Sequence, residues 1–200
     1  MRGAAVLLLG CLGCSRAQPA PFAGPKLIAL HASVDPTLDG EAEEGAWIAT
    51  PSTGAFGSVL DGGFLSPHTE LRALWTERSL WLNVYCADQD LRSSDAVHLV
   101  LQAATGLSFT VSPTGKLTGA PEGLRLAVDL DGTLDADDGE DDEEWAAEIE
   151  VPWSALGLQR PPPSLEVTAW REDTPKGAPA RTVSWSRASN RPAAGLIELR

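Results

Sequence analysis

Apolar residues alternate with polar ones through most of the chain, in short runs cut by Gly, Pro, Asp and Ser, the pattern of half-buried strands. In SLWLNVYCA (79–87), Leu80, Leu82, Val84 and Cys86 fall on one face, and Trp81, Asn83 and Tyr85 on the other. TELRALW (69–75) precedes it across the turn TERS and predicts an antiparallel hairpin. DAVHLVLQA (95–103), LSFTVS (107–112) and GLRLAVD (123–129) are expected to continue the meander. WAAEIEV (145–151) sets Trp145, Ala147, Ile149 and Val151 against Glu148 and Glu150, and LEVTAWR, TVSW and GLIELR follow. The pattern predicts neither a helix longer than two turns nor a repeat with a period of roughly 20 to 50 residues. The expected fold is therefore all-β, an antiparallel two-sheet sandwich of jelly-roll or immunoglobulin-like architecture over residues 27–200.

Composition supports this picture. A chain of 200 residues, 43% apolar and 22% charged, is long enough to bury one core. The net charge of −13 argues against nucleic acid or an anionic membrane surface as partner. Ten of the acidic residues lie in DLDGTLDADDGEDDEE (129–144), so the charge belongs mainly to one segment. An EF-hand loop starting at Asp135 fails, because Gly139 falls at its fifth position and Ala146 at its twelfth. A looser calcium site from Asp131, Asp135, Asp137 and Asp138 remains open, beside the reading of a solvated hairpin excursion between two strands.

The first fourteen residues, MRGAAVLLLGCLGC, resemble a bacterial lipoprotein signal: a basic start, an apolar run too short to span a bilayer, and small residues ending at a cysteine. Lipidation is expected at Cys14 or Cys11, with SRAQPAPFAGPK (15–26) as a Pro/Ala-rich tether. That would place the protein in the cell envelope, anchored to a membrane by lipid alone. Cys86 lies alone in a strand pattern and is expected to be a small buried hydrophobe.

An ordered set of landmarks spans residues 27–200: LDGEAEEGAW (38–47), LRALWTERSLWLNVYCADQDL (71–91), SDAVHLVL (94–101), FTVSPTGK (109–116), EEWAAEIEVPWSALG (143–157), AWRED (169–173) and SWSRASNRPAAGLIELR (184–200). Together they resemble the carbohydrate-binding module family 9-like group of DOMON-like β-sandwiches. The resemblance implies a non-catalytic module that binds oligo- or polysaccharide. In the sugar binders of that group two tryptophans clamp a terminal sugar. Here Arg92 and the segment SNRPAA stand in their places, and His98 replaces a ligand-binding carboxylate. The fold carries over, but the site has been rewritten.

Trp47, Trp75, Trp145 and Trp153 are landmark positions expected in the core. Trp170, on the face of Glu166 and Thr168, and Trp81, beside Asn83 and Tyr85, are either stacking platforms for a sugar or packing beneath a loop. Arg171 and Asp95 are candidate partners of sugar hydroxyls or members of a fold-supporting salt bridge. Recognisable catalytic motifs are lacking, so no enzyme is expected. Two further readings stand beside sugar binding. One is an interaction module for an envelope protein. The other is a haem-binding electron-transfer domain, which without a mature methionine would need two of His31, His68 and His98, or a lysine.

Overall fold

The computed structural model describes residues 22–64, 68–136 and 142–200. Its strands are β1 (Lys26–His31), β2 (Gly57–Ser58), β3 (Thr69–Trp75), β4 (Ser79–Ala87), β5 (Ala96–Gln102), β6 (Leu107–Val111), β7 (Leu117–Thr118), β8 (Arg125–Asp131), β9 (Glu144–Pro152), β10 (Ser164–Asp173), β11 (Arg181–Ser184), β12 (Arg187–Ala188), β13 (Arg191–Pro192) and β14 (Gly195–Leu199). One helical turn, α1 (Gly45–Ile48), and a 3₁₀ turn at Trp153–Leu156 complete the described elements.

The strands form two layers that share β1. A first sheet runs β7-β6-β5-β10-β14-β1, with β11 beside the C-terminal half of β10 and β2 beyond it. A second runs β1-β3-β4-β9-β8. Inward-facing residues of both layers meet in one core: Leu80, Leu82 and Val84 of β4 and Trp145, Ala147 and Ile149 of β9 against Val97, Leu99 and Leu101 of β5 and Val167 and Ala169 of β10. This is the all-β sandwich that the alternation predicts, and β3 and β4 form the expected hairpin, with Leu71 opposite Val84.

The expected strand order needs two corrections. β1 pairs in parallel, first with β14 (Lys26 opposite Leu196) and then with β3 (Leu30 opposite Leu74), so the sandwich is mostly but not wholly antiparallel. In addition, β8 does not continue the meander beside β6. It crosses to the second sheet and pairs with β9, because Leu126, Val128 and Leu130 then extend the row of Ile149, Ala147 and Trp145 over the core. The acidic run therefore joins two paired strands, with Asp131 opposite Glu144.

A smaller core lies on the other side of the second sheet. The segment that carries α1 folds over it, and Ala32, Ala42 and Trp47 pack on Leu74 and Trp81. Glu148 holds this cover in place. Its Oε2 accepts the N–H groups of Asp39 and Gly40, each at 3.0 Å. Gly40, at φ 103°, passes so close to β8 that an added Cβ would stand 2.6 Å from the Asp129 nitrogen. Burial pushes the Glu148 carboxyl up to about 7, against the pull of those two N–H groups.

Candidate functional site

The positions predicted to bind a ligand divide between the interior and one outer face. Trp81 is corrected first: it is completely buried in the smaller core and offers a sugar no ring surface. Strand alternation places it on the outer face of its sheet, but the α1 segment covers that face.

Arg171 and Asp95 also lie inside, each 1% exposed. The period of two that turns Val167 and Ala169 inward carries Arg171 and Asp173 with them. Asp88, Asp95 and Asp173 each bring an oxygen within 4.8 Å of the others, a spacing suited to a bound cation. The Arg171 guanidinium supplies that cation: Nη2 binds Asp88, lies 3.1 Å from Asp173 and 3.7 Å from Asp95, while Nη1 donates to the Ala87 carbonyl at 2.9 Å. Arg171 thus stands inside the three-acid cage and Arg181, paired with the other Asp173 oxygen, adds a second positive charge at its edge, which makes a fold-supporting ion cluster rather than a contact for ligand. Burial, and then the neighbouring Asp88 carboxyl, push the Asp95 carboxyl up to about 7. Cys86 lies beside this cluster, where burial pushes its thiol up to about 12 and leaves it an inert core residue.

His98 and Trp170 remain on the outer face of the first sheet. They are opposed residues of β5 and β10, and their rings stack with centroids 4.6 Å apart and planes 3° from parallel. His98 Nδ1 lies 3.0 Å from the Thr110 hydroxyl, and its Nε2 lies 3.5 Å from a Glu172 oxygen. These contacts fix the imidazole against the indole.

The hairpin of β12 and β13 folds over the same face. Its two-residue tip, Ser189 and Asn190, takes the left-handed conformation at both positions, with φ of 50° and 61°, as a type I′ turn requires. Between hairpin and sheet lies a cavity of about 520 Å³, bounded by Trp170, Thr168 and Glu172 of β10, Thr182 of β11, and Asn190 and Arg191 of the hairpin. The cavity thus offers an aromatic plane with hydroxyl, amide, carboxylate and guanidinium groups around it. Thr168 was legible from its place beside Trp170 in the strand pattern. The hairpin residues carried no such signal, because nothing local says that SNRPAA folds back over the sheet.

Arg92 is ion-paired with Asp90, is largely covered, and lies outside the residues bounding this cavity. The calcium candidates do not converge either. Asp131 lies along a groove of the second sheet, whereas Asp135 accepts the Ser93 N–H at 3.1 Å. Asp137 and Asp138 lie outside the described residues, as do Cys11 and Cys14. Asp142 uses its two oxygens on the N–H groups of Leu91 and Thr133. The described carboxylates of the acidic run thus serve partly as caps for neighbouring backbone. The three histidines stand against three different rings, His31 on Trp75, His68 beside Tyr85 and His98 on Trp170, which does not favour a haem held between two of them.

Solved structures show the same arrangement of strands. Two structures of a carbohydrate-binding module of family 9 from Caldicellulosiruptor kristjanssonii, in complex with glucose and with cellotriose, both align at a TM-score of 0.61 and 14% identity. The alignments cover 86% and 88% of this chain and 95% and 93% of theirs. This is the family 9 fold. A candidate carbohydrate-binding protein of Bacteroides uniformis shares it at a TM-score of 0.60 and 15% identity, over 89% of this chain and 100% of its own. No family model matches the sequence, and no curated protein matches it either. On the family 9 fold, then, this chain carries an indole–imidazole stack beneath a type I′ hairpin.

Proposed function

We propose that the domain is a non-catalytic carbohydrate-binding module of a cell-envelope lipoprotein, and that it takes its sugar in the cavity between Trp170 and the β12–β13 hairpin. The observation that carries this reading is the half-buried Trp170 ring, braced by His98 on the family 9 fold and ringed by Thr168, Thr182, Asn190 and Arg191. An indole plane packs against the apolar C–H face of a pyranose, while hydroxyl, amide and guanidinium groups around it exchange hydrogen bonds with the sugar hydroxyls. The family 9 modules from C. kristjanssonii in complex with glucose and cellotriose lend the reading support by analogy of fold.

The cavity holds about 520 Å³, room for a short segment of a glycan rather than a long chain. Cys14 or Cys11 would carry the lipid, with residues 15–26 as the tether that sets the domain away from the membrane. The test is a screen of the purified domain against plant, fungal and bacterial glycans, followed by calorimetry on the hits. Trp170→Ala is expected to abolish binding to any glycan that wild type retains. Silence across the screen, or glycan binding untouched by Trp170→Ala, would overturn the reading.

A further inference from the structure

The opposite side of the sandwich holds a second and larger cavity. It is an open groove of about 1040 Å³ across the outer face of the second sheet, between the α1 segment and the ends of β8 and β9. Six carboxylates line it: Glu41, Glu43, Glu70, Asp129, Asp131 and Glu144. Of the basic side chains along it, Arg72 is already paired with Glu70 at 2.9 Å. Negative charge elsewhere in the groove is poorly compensated. Glu41, although open to water, is held above the usual carboxylate range by Asp39, then by Glu43 and Asp129. Among the described residues, no three of these acids bring their oxygens close enough to enclose one metal ion. Their spread suits several positive charges along an extended ligand.

Two other features narrow the ligand further. Asn83 of β4 forms part of the groove floor and is 97% buried, yet its amide makes no hydrogen bond with any described residue. Set in the groove floor, this carboxamide presents one donor and one acceptor side by side to whatever fills the groove, as a backbone peptide group does. At the rim, Ile48 of α1 is 73% exposed. Its aliphatic surface is one that a branched apolar side chain of a ligand can cover.

We propose that this groove is a docking site for an extended basic segment of a partner polypeptide. Its Lys or Arg side chains meet the spread carboxylates, one of its peptide groups pairs with Asn83, and one of its aliphatic side chains covers Ile48. The site is separate from the cavity under the β12–β13 hairpin and does not depend on sugar binding.

The test uses the full domain and a fluorescent peptide of alternating lysine and valine, with an alternating glutamate–valine peptide, spermine and a glucosamine hexamer as comparison probes. The lysine–valine peptide is expected to bind, more tightly at low salt, while the glutamate–valine peptide does not. Asn83→Leu should weaken binding about tenfold, the scale of one lost buried hydrogen bond. The triple variant Glu41→Gln, Asp129→Asn, Asp131→Asn should weaken it further and flatten its salt dependence. Those three side chains make no hydrogen bond or ion pair among the described residues, so this variant carries the test even where Asn83→Leu does not fold. Absence of lysine–valine binding, binding that survives the triple neutralisation, or spermine or the glucosamine hexamer binding as tightly as the peptide would overturn the proposal.

Discussion

The two outer faces of this sandwich are built on the same alternation of strands, and they have opposite chemistry. On the first sheet the outward positions gather an indole, an imidazole and several hydroxyls beneath a hairpin. On the second they gather carboxylates beside a half-covering loop that Glu148 holds by its backbone. Strand periodicity decides which residues turn outward, but the segment that folds over a face decides which of them a ligand can reach. Trp81 and Trp170 make the point. Both are outward-facing tryptophans in the middle of long strands, but the α1 segment seals one while the hairpin leaves the other beside a cavity.

The largest change expected breaks both faces at once. Arg171→Met leaves the cage of Asp88, Asp95 and Asp173 without its internal cation, and urea denaturation should show a loss of about 3–5 kcal/mol. Charge reversal at one cage acid does not restore it, whereas Arg171→Met combined with Asp88→Asn and Asp173→Asn should recover part of the loss.

Glu148→Gln is expected to act on the second face. Glu148 and Asp95 hold their protons when folded up to about 7, whereas the unfolded chain loses them near 4.5 and 3.8. Their contribution to stability is therefore fully present below those lower values and is lost as pH rises through about 7. Thermal melts across pH should show wild type losing stability over this window. Glu148→Gln removes its share of that slope, a difference on the order of 3 kcal/mol between the ends of the window.

Gly195→Ala probes the core side of the first sheet, where Gly195 lies opposite the inward Val167. An added Cβ would stand 2.5 Å from the Trp185 ring, so the indole must shift, and a loss of about 1–3 kcal/mol in denaturation is expected. The smallest effect on stability is that of Trp170→Ala. Its ring is only half-buried, so the loss is expected near 1 kcal/mol, although the effect on sugar binding is complete.

Much of the fold was legible because long strands advertise their faces. The series Leu80, Leu82, Val84 and the series Trp145, Ala147, Ile149 fixed two neighbouring strands that the structure pairs directly, Leu82 opposite Ile149. Crossovers were not legible. Nothing local distinguishes β8 as a partner of β9 from β8 as a partner of β6, since the decision depends on which apolar row is left to complete. Between the two readings of Arg171 a clear signal existed: it continues the inward series Leu165, Val167, Ala169, so period two alone argued for the fold-supporting ion cluster. Trp170, Thr168 and His98 were placed on their true face by the same rule. Asn190 and Arg191 were beyond it, because their proximity to Trp170 arises from a hairpin folding back across the sheet.

The sharing of β1 between the sheets carries a consequence for the order of synthesis. Residues 26 to 29 cannot complete their ladder until residues 196 to 199 have emerged, because those two segments are partners in the parallel pairing. The first half of β1 therefore waits for β14, a partner nearly the whole domain away along the chain, while its second half pairs earlier with β3, and the two layers close only when β14 is in place.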